Sequence, residues 1–461
     1  MSTAIEELSA NILNSCFENF DQSTVENAKN RIIDVLGCLI GGANNPSSSA
    51  LVDLVKDWGG KAEATILIHG GKAPAHNVAM VNSIMARSFD FEVLFPLVEG
   101  VTIPNHVSGT TVMTAITMGE VMHIDGKELI TALLVGDDVA ARIQAASASG
   151  FDLAPGFDYI GTVNVFGAAA IAGRLLGLNE LQMRNAFGIA LNQLAGTFQS
   201  VWDGTTCFKL LQGTSARNGI FSTQLAKRGW TGPEDALSSK FGYYHLYTLN
   251  CNPEILTKNL GQKYYAEATF KPYPCCRLNH GAIDCALAIV RKHKFNAEDI
   301  EEITLEVTPR GRDSFVGQQF RIRDFPQGDA IFSLRYNVAN ALIRKGCKPE
   351  HFSEEAISDP QVNKLAQAIK LSPTIPPEKG PVATNLRVRL TDSRELSEYT
   401  EVPKGDPVKN PMSNDEIKAK FMDNVDFSHT MTKENAEKLL RLLERLEELD
   451  NVDKIVELLV V

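Results

Sequence analysis

Ionisable side chains stand among turn residues in the stretch ARSFDFEVLFPLVEGVTIPNHVSGTT, which contains Asp90, Glu92 and His106. His106 follows Pro104 and Asn105 and precedes a Ser-Gly-Thr-Thr run, so we expect it in a loop that opens onto a helix. The N–H groups at a helix start attract anions, and an imidazole pKa of about 6.5 suits proton transfer near neutral pH. His106 is therefore a candidate acid–base residue, although a lone histidine is more often structural.

A second stretch, WDGTTCFKLLQGTSARNG, places Lys209 between Phe208 and two leucines. A charge there is expected to meet a negative group. The alternative is a lysine whose stem covers an apolar surface while its ammonium stays in water. Both interpretations remain open from the sequence.

The stretch FKPYPCCRLNHGAIDCAL holds Lys271, Arg277 and His280 within ten residues. Arginine binds a carboxylate through two parallel hydrogen bonds and lysine binds it as a point charge, so this group is a candidate carboxylate site. A surface loop with unused charges is the alternative. The adjacent Cys275 and Cys276 do not indicate a metal site, because no third ligand is suitably spaced. We expect no metal and no cofactor.

The elements that must position these residues begin with a region, 1–265, in which apolar residues recur at helical spacing and no strand alternation is evident. Ser23 and Glu26 have the spacing of a helix-capping pair. Asp158 lies in GFDYIGTVNVFGAAA, a turn-rich entry to a buried helix. The sequence predicts an all-helical first region.

Alternating apolar residues then predict strands in a second region of mixed α and β type, residues 266–400. The alternating residues are Ile303, Leu305, Val307, Leu386, Val388 and Leu390. From residue 401 to 461 the pattern is helical again, with Ser413 and Glu416 at a helix start. We expect this last segment to return to the first region, which makes the α+β region an insertion.

Composition and net charge exclude several classes of function. A content of 44% hydrophobic and 22% charged residues is typical of a folded soluble protein. The net charge of -11 argues against nucleic acid and anionic membranes as partners, because both require a basic surface. The N-terminal segment lacks the basic start and apolar run of a signal peptide, so we expect a cytoplasmic protein. Nucleotide-binding, α/β-hydrolase and zinc-peptidase motifs are absent.

At these stretches the sequence resembles the MmgE/PrpD family, which includes 2-methylcitrate dehydratase, cis-aconitate decarboxylase and iminodisuccinate epimerase. RSFDFEV is similar to the family's H-x-x-DFDD stretch, and NHVSG is similar to HPSG. KPYPCCRLNHGAIDCAL resembles K-x-YPSC-x-x-x-H-x-x-IDA-x-L. GTVNVFGAAAIAGRLLGL, RGWTGPEDAL and VPKGDPVKNPMSNDEIKAKF also resemble family stretches, in the family's order, so the resemblance covers nearly the whole chain.

The resemblance implies a mainly α fold with an α+β insertion: a large helical domain built from both chain ends and a smaller α+β lid. It also implies a homodimer and an active site in the cleft between the domains, without metal or organic cofactor. Carried over position by position, the catalytic residues would be Asp90, His106, Lys209 and Lys271. The substrate-binding residues would be Arg87, Asp158, Arg277 and His280.

The sequence departs from the family pattern at several of these positions. Arg87 stands where the family usually has histidine, Glu92 replaces an aspartate and Leu94 replaces a threonine. Asp158 and Gln212 occupy positions where histidine is frequent. These departures favour a substrate that differs from the standard ones.

The sequence therefore predicts a cofactor-independent lyase or isomerase, 2-methylcitrate dehydratase-like, that acts on a small di- or tricarboxylate through a carbanion. Lys209 and Lys271 would hold the substrate carboxylates, and His106, oriented by Asp90, would move the proton. Fixed cations lower the barrier because the developing enediolate adds charge to an existing carboxylate. The alternatives are a decarboxylase or epimerase of the same family, or a catalytically inactive paralogue that binds carboxylates.

Overall fold

The computed structural model of the protein describes residues 3–147, 156–265 and 267–460. In the first region the helices are α1 (Ala4–Asn14), α2 (Gln22–Gly42), α3 (Pro46–Trp58), α4 (Ala75–Ala86), α5 (Ser108–Met122), α6 (Gly126–Ala145), α7 (Tyr159–Thr162), α8 (Asn164–Leu175), α9 (Glu180–Leu191), α10 (Gln199–Trp202), α11 (Leu210–Lys227), α12 (Tyr243–Tyr247) and α13 (Glu254–Thr257).

The rest of the chain holds α14 (His280–Lys292), α15 (Pro309–Asp313), α16 (Pro326–Ile331), α17 (Leu334–Arg344), α18 (Glu354–Ile357), α19 (Pro360–Ala368), α20 (Asn414–Ser428), α21 (Lys433–Glu444) and α22 (Asp453–Leu458). The strands are β1 (Ala64–Thr65), β2 (Lys72–Ala73), β3 (Leu94–Val98), β4 (Val101–Thr102), β5 (Ala268–Thr269), β6 (Ile300–Val307), β7 (Lys370–Ser372), β8 (Thr384–Leu390) and β9 (Glu395–Thr400). The predicted fold class, mainly α with an α+β part, is confirmed.

The two ends of the chain pack together. Helix α20 lies against α2, where a Cβ atom at Gly41 would come within 2.2 Å of the Asn424 side chain, so only glycine permits this close approach. Lys29 in α2 pairs with Glu447 at 3.2 Å. One hydrophobic core contains residues of α2, α4 and α5 together with residues of α20, α21 and α22.

Helix starts follow the capping rules, with one correction. Ser413 accepts a hydrogen bond from the Glu416 amide and Glu416 accepts one from the Ser413 amide, so this predicted cap is confirmed. The predicted pair Ser23 and Glu26 is wrong. Helix α2 begins earlier, because the Asp21 carboxylate caps it by accepting from the Thr24 amide at 2.7 Å.

A four-stranded sheet with the order β7-β6-β8-β9 forms the centre of the α+β part. Strands β6 and β8 are antiparallel and pair Ile303 with Val388 and Leu305 with Leu386, which confirms both predicted strands. The alternating apolar side chains of these strands are buried, in a core to which α14 and α17 also contribute.

Short strands also occur in the region predicted to be wholly helical, so that prediction was wrong in part. Strand β3 pairs with β4 and with β5, and Leu94 lies opposite Thr269. The β3–β5 pairing has a consequence for function, since it brings the segment around Asp90 beside the segment that begins at Lys271.

The division into residues 1–265, 266–400 and 401–461 stays a prediction, and residue 266 lies outside the described residues. Within the described ranges, no helix combines the length and the apolar character that a membrane crossing requires.

Candidate active site

A buried ionic network lies where α4, the loop before β3 and the start of α5 meet. Arg87 ends α4, and its Nη1 donates to Glu92 Oε1 at 2.9 Å and also to Asp90 Oδ1. His106 approaches from the loop before α5, with its Nδ1 2.8 Å from Glu92 Oε1. Asp90 has a φ of +50°, in the left-handed region that aspartate tolerates better than most residues.

The charges of this network set the protonation state of His106. Burial alone would raise the pKa of Glu92, but the charge of Arg87 and the hydrogen bond from His106 hold it far below its usual range, so Glu92 is a carboxylate. Burial, followed by the charge of Arg87, lowers the pKa of His106 below 6.5. The ring is therefore neutral at pH 7. We assign its proton to Nδ1, which donates to Glu92, and Nε2 is then the basic nitrogen.

Lys271 joins the same network from the other side. It follows β5, and its Nζ lies 2.6 Å from Asp90 Oδ2 and also donates to the Asp90 carbonyl oxygen. His106 Nε2 lies 3.5 Å from Asp90 Oδ1. Asp90 thus connects His106 to Lys271, a residue 181 positions beyond Asp90 in the chain.

The formal charges of this network balance. Arg87 and Lys271 carry the positive charges, and Asp90 and Glu92 carry the negative ones. Lys271 is fully buried and outside the wall of the neighbouring cavity. Its ammonium forms an ion pair with Asp90, whereas the sequence predicts that it binds a substrate carboxylate.

A cavity of about 560 Å³ opens beside the network, between the helical part and the α+β part of the chain. Polar side chains from both parts line it: Arg87, Asp90, Asn105, His106, Asp158, Arg277 and Arg310. Five of the eight predicted site residues therefore line the same cavity: Arg87, Asp90, His106, Asp158 and Arg277. A cavity of this size is typical of a small-molecule site.

Asp158 is the acidic residue of the cavity that stands apart from the network. It caps α7, with Oδ1 accepting from the Ile160 amide at 2.9 Å. Burial raises the pKa of Asp158, and the charge of Arg87 only partly offsets this. A carboxyl group with a raised pKa in a cavity wall is a candidate general acid.

Arg277 is the buried cation that the α+β part contributes to the cavity. Its two terminal nitrogens donate to the carbonyl oxygens of Lys404, at 2.5 Å, and Pro403, at 3.0 Å. Burial lowers the pKa of Arg277 to about 10, so the guanidinium keeps its charge at neutral pH. An oriented guanidinium in a cavity wall suits carboxylate binding.

His280 and Lys209 are buried but lie outside the cavity wall. Burial lowers the pKa of His280 well below 6.5, and the neutral ring lies between Arg277 Nη1, at 3.3 Å, and the Cys275 carbonyl oxygen, at 3.2 Å. Lys209 donates to Asn45 Oδ1 at 2.8 Å. The alternative of a solvated Lys209 ammonium is wrong, because the residue is 1% exposed.

Replacing Lys209 with methionine is expected to change how stability depends on pH. Burial, then the charge of Arg87, lowers the pKa of Lys209 to about 7, whereas the unfolded chain has a lysine pKa of about 10.4. Between these values the unfolded state binds more protons, so this group makes stability rise with pH. Urea unfolding at about pH 7 and about pH 10 should therefore show the wild type gaining free energy of unfolding relative to Lys209→Met. The exposed Lys240→Met is the control. An equal difference at both pH values would contradict a depressed pKa.

Behind the network, Lys420 of α20 fixes the loop that carries Glu92. Its Nζ donates to Asp34 Oδ1 and to the Phe91 carbonyl oxygen, both at 2.7 Å. Asp34 Oδ2 accepts from the Val93 amide at 2.8 Å. The backbone on both sides of Glu92 is thus held by one buried ion pair.

Sequence reasoning missed Glu92 as a site residue and treated it only as a replacement for aspartate. The available signal was its position between Phe91 and Val93, since a carboxylate in an apolar stretch requires a charged partner when it is buried. Arg310 was also missed, and no local pattern distinguished it. Across the described ranges, no group of three His, Cys, Asp or Glu side chains is placed to hold a metal ion.

Comparisons with known proteins cover most of the chain. Residues 6–255 match the MmgE/PrpD N-terminal domain and residues 273–448 match the MmgE/PrpD C-terminal domain. Cis-aconitate decarboxylase of Mus musculus is 25% identical over 435 residues, which cover 90% of this chain and 85% of that protein. Cis-aconitate decarboxylase of Aspergillus terreus is 25% identical over 434 residues, covering 88% and 86%. Cis-aconitate decarboxylase-like protein oryM of Aspergillus oryzae is 21% identical over 422 residues, covering 86% and 85%.

Proposed function

Since the chain belongs to the MmgE/PrpD family, we propose that it is a cofactor-independent lyase that acts on a small di- or tricarboxylate through a carboxylate-stabilised carbanion. The observation that carries the proposal is the placement of His106. Its neutral ring, oriented by Glu92, lines a cavity that Arg277 and Arg310 enter from the opposite part of the chain. A base facing fixed cations is the arrangement that carbanion chemistry requires.

In this mechanism the guanidinium groups of Arg277 and Arg310 bind substrate carboxylates. His106 Nε2 removes a proton from the carbon next to a carboxylate, and the electron pair of the broken C–H bond moves into an enediolate. The adjacent guanidinium stabilises the added charge, most strongly where water is excluded. Lys271 acts through Asp90 as a positioning residue, which revises the role expected from the sequence.

Two lyase reactions fit this site, and a different observation favours each. Dehydration is favoured by Asp158, a buried carboxyl group in the cavity wall with a raised pKa, which would protonate the departing hydroxyl as the C–O bond breaks. Decarboxylation is favoured by relatives named cis-aconitate decarboxylase that match along 85–86% of their length. In that reaction the C–C bond breaks and CO₂ leaves. The carboxylates of the bound substrate raise the pKa of His106, so the ring takes up a proton from water on binding and delivers it to the carbanion.

The direct test is to incubate the purified chain with cis-aconitate and with 2-methylcitrate in D₂O and to follow the products by proton NMR. Release of CO₂ identifies a decarboxylase, and formation of an alkene from 2-methylcitrate identifies a dehydratase. The His106→Ala variant controls for contaminating enzymes. Thermal stabilisation by these acids without turnover or deuterium exchange would instead support an inactive carboxylate-binding paralogue.

The pH profile of kcat/KM is expected to report the charges around His106. In the dehydration, in which His106 is the base, the base form exists above the pKa of His106, which lies below 6.5, so the rate should fall at a pH below that value. Glu92→Gln removes a negative neighbour and should move this acid limb to lower pH. Arg87→Met removes a positive neighbour and should move it to higher pH. Shifts in the same direction in both variants would contradict His106 as the titrating base.

A further inference from the structure

Part of the cavity wall is aromatic rather than charged. The wall includes the rings of Phe95, Phe157, Phe198, Trp202, Phe315 and Phe332. Phe157 and Trp202 are 39% and 38% exposed, so large apolar surfaces at this site are left to water. A patch of this kind marks a binding surface more often than a random feature of a soluble protein.

Four of these rings, Phe198, Trp202, Phe315 and Phe332, form one cluster, here called the aromatic patch. Phe315 is at its centre, with centroid distances of 5.4 Å to Phe198, 6.2 Å to Trp202 and 5.6 Å to Phe332. The first two rings belong to the helical part and the other two to the α+β part. The patch therefore spans both walls of the cavity.

The aromatic patch is continuous with the ionic network. Phe208 lies between them, with its ring 5.1 Å from the Phe332 ring and 5.4 Å from the Arg87 guanidinium carbon. A ligand with its carboxylates at Arg277 and its reacting carbon at His106 thus has an apolar surface within reach of the same molecule.

The cavity is larger than the charged end of the proposed substrate requires. A second cavity of about 290 Å³ shares Val201, Trp202, Phe315 and Phe332 with the first, so the patch is accessible from both. A small polycarboxylate is polar over its whole surface and gains nothing from aromatic rings. When such a molecule binds, the aromatic patch stays in contact with water, which is unfavourable for an apolar surface.

We infer that the substrate is a polycarboxylate that bears an alkyl arm of several carbons, and that this arm lies on the aromatic patch. The inference rests on the proposed function, because the carboxylates and the reacting carbon fix which end of the molecule faces the network. The arm then lies against Phe332, Phe315 and Phe198 in the cavity wall.

The test is a series of tricarboxylates with methyl, propyl and hexyl substituents on the carbon next to the reacting one. Each methylene buried against apolar surface is worth about four-fold, equivalent to about 0.8 kcal/mol, so the propyl compound should exceed the methyl compound about 15-fold in kcat/KM. Calorimetry on the same series measures affinity independently of turnover.

Trp202→Ala should flatten this dependence on chain length, and Phe157→Ala provides a second variant at an exposed position of the same cavity. Trp230→Ala is the matched control, because Trp230 is 62% exposed and lies outside both cavities. Melting temperatures of all variants report whether they fold.

The outcomes separate the two proposals. Turnover of the methyl compound with equal or lower kcat/KM for longer arms would overturn the inference and leave the proposed function standing. Affinity that rises with arm length without turnover of any member would support the arm site and contradict a lyase. Equal affinity for all members without turnover would overturn both.

Discussion

Replacing His106 with alanine is expected to lower turnover of the polycarboxylate about 10²–10⁴-fold, the range that a positioned acid–base group contributes. The fold should survive, because Arg87, Asp90 and Glu92 keep their pairing when the ring is removed. The His106 side chain is also 14% exposed, so water can enter the space that it leaves. Steady-state kinetics with a thermal melt of the same sample measure both effects.

The matched control is His123→Ala. His123 also pairs with a carboxylate, Asp453 at 2.7 Å, but its side chain is 68% exposed and lies outside the cavity. Its removal should leave turnover unchanged. Glu92→Gln should fall between the two variants, since an amide still contacts the ring but no longer fixes its tautomer. Near-normal turnover in folded His106→Ala would exclude His106 as the base.

Much of the fold was predictable where the signal is local. The strands around Leu305 and Leu386 were identified because alternation places every second side chain in one core, and both strands are long enough to show it. Strands β3 and β5 were missed for a physical reason. Each is short, and their pairing joins Leu94 to Thr269, so no window of sequence contains both partners.

The membership of the candidate site was predictable in part, but the pairing of its residues was not. The sequence motifs selected Asp90, His106 and Lys271, and the structure brings these three together. A motif does not reveal whether a buried cation faces a ligand or a carboxylate of the same chain. That choice depends on Glu92 and Arg87, which lie at positions where the sequence departs from the family pattern.

Arg87 and Glu92 form an ion pair in this chain, although Glu92 only replaces one carboxylate with another. Arg87 stands where the family usually has a neutral or weakly basic histidine, and it adds a full positive charge to a buried site. Glu92 accepts from this guanidinium and stays ionised, so the network remains balanced. The cations that bind an anionic substrate are then Arg277 and Arg310, across the cavity. A substrate with an apolar arm fits such a division, because only one of its ends needs cations.

The ion pair behind the site provides the second large effect. Lys420→Met leaves the Asp34 carboxylate buried without its charged partner, and breaking such a pair costs about 3–5 kcal/mol of unfolding free energy. Lys418 lies half a turn before Lys420 in α20, and its side chain is 32% exposed. Lys418→Met should therefore cost less than about 1 kcal/mol of unfolding free energy. Urea denaturation of both variants gives the comparison.

The pH dependence of the Lys420→Met deficit distinguishes a lost charge from lost packing. Burial already raises the pKa of Asp34, and Lys420 opposes that shift, so removing the lysine raises the pKa further. The folded variant then binds a proton that the unfolded chain releases, and its stability falls as pH rises. The deficit should therefore be smaller at about pH 5 than at about pH 8. Asp34→Asn combined with Lys420→Met should recover stability without restoring turnover, because the Phe91 carbonyl still lacks its donor and Glu92 is less firmly placed. A deficit independent of pH would show that the contacts of the Lys420 ammonium with the Phe91 carbonyl oxygen and ring, rather than its pairing with Asp34, stabilise the loop.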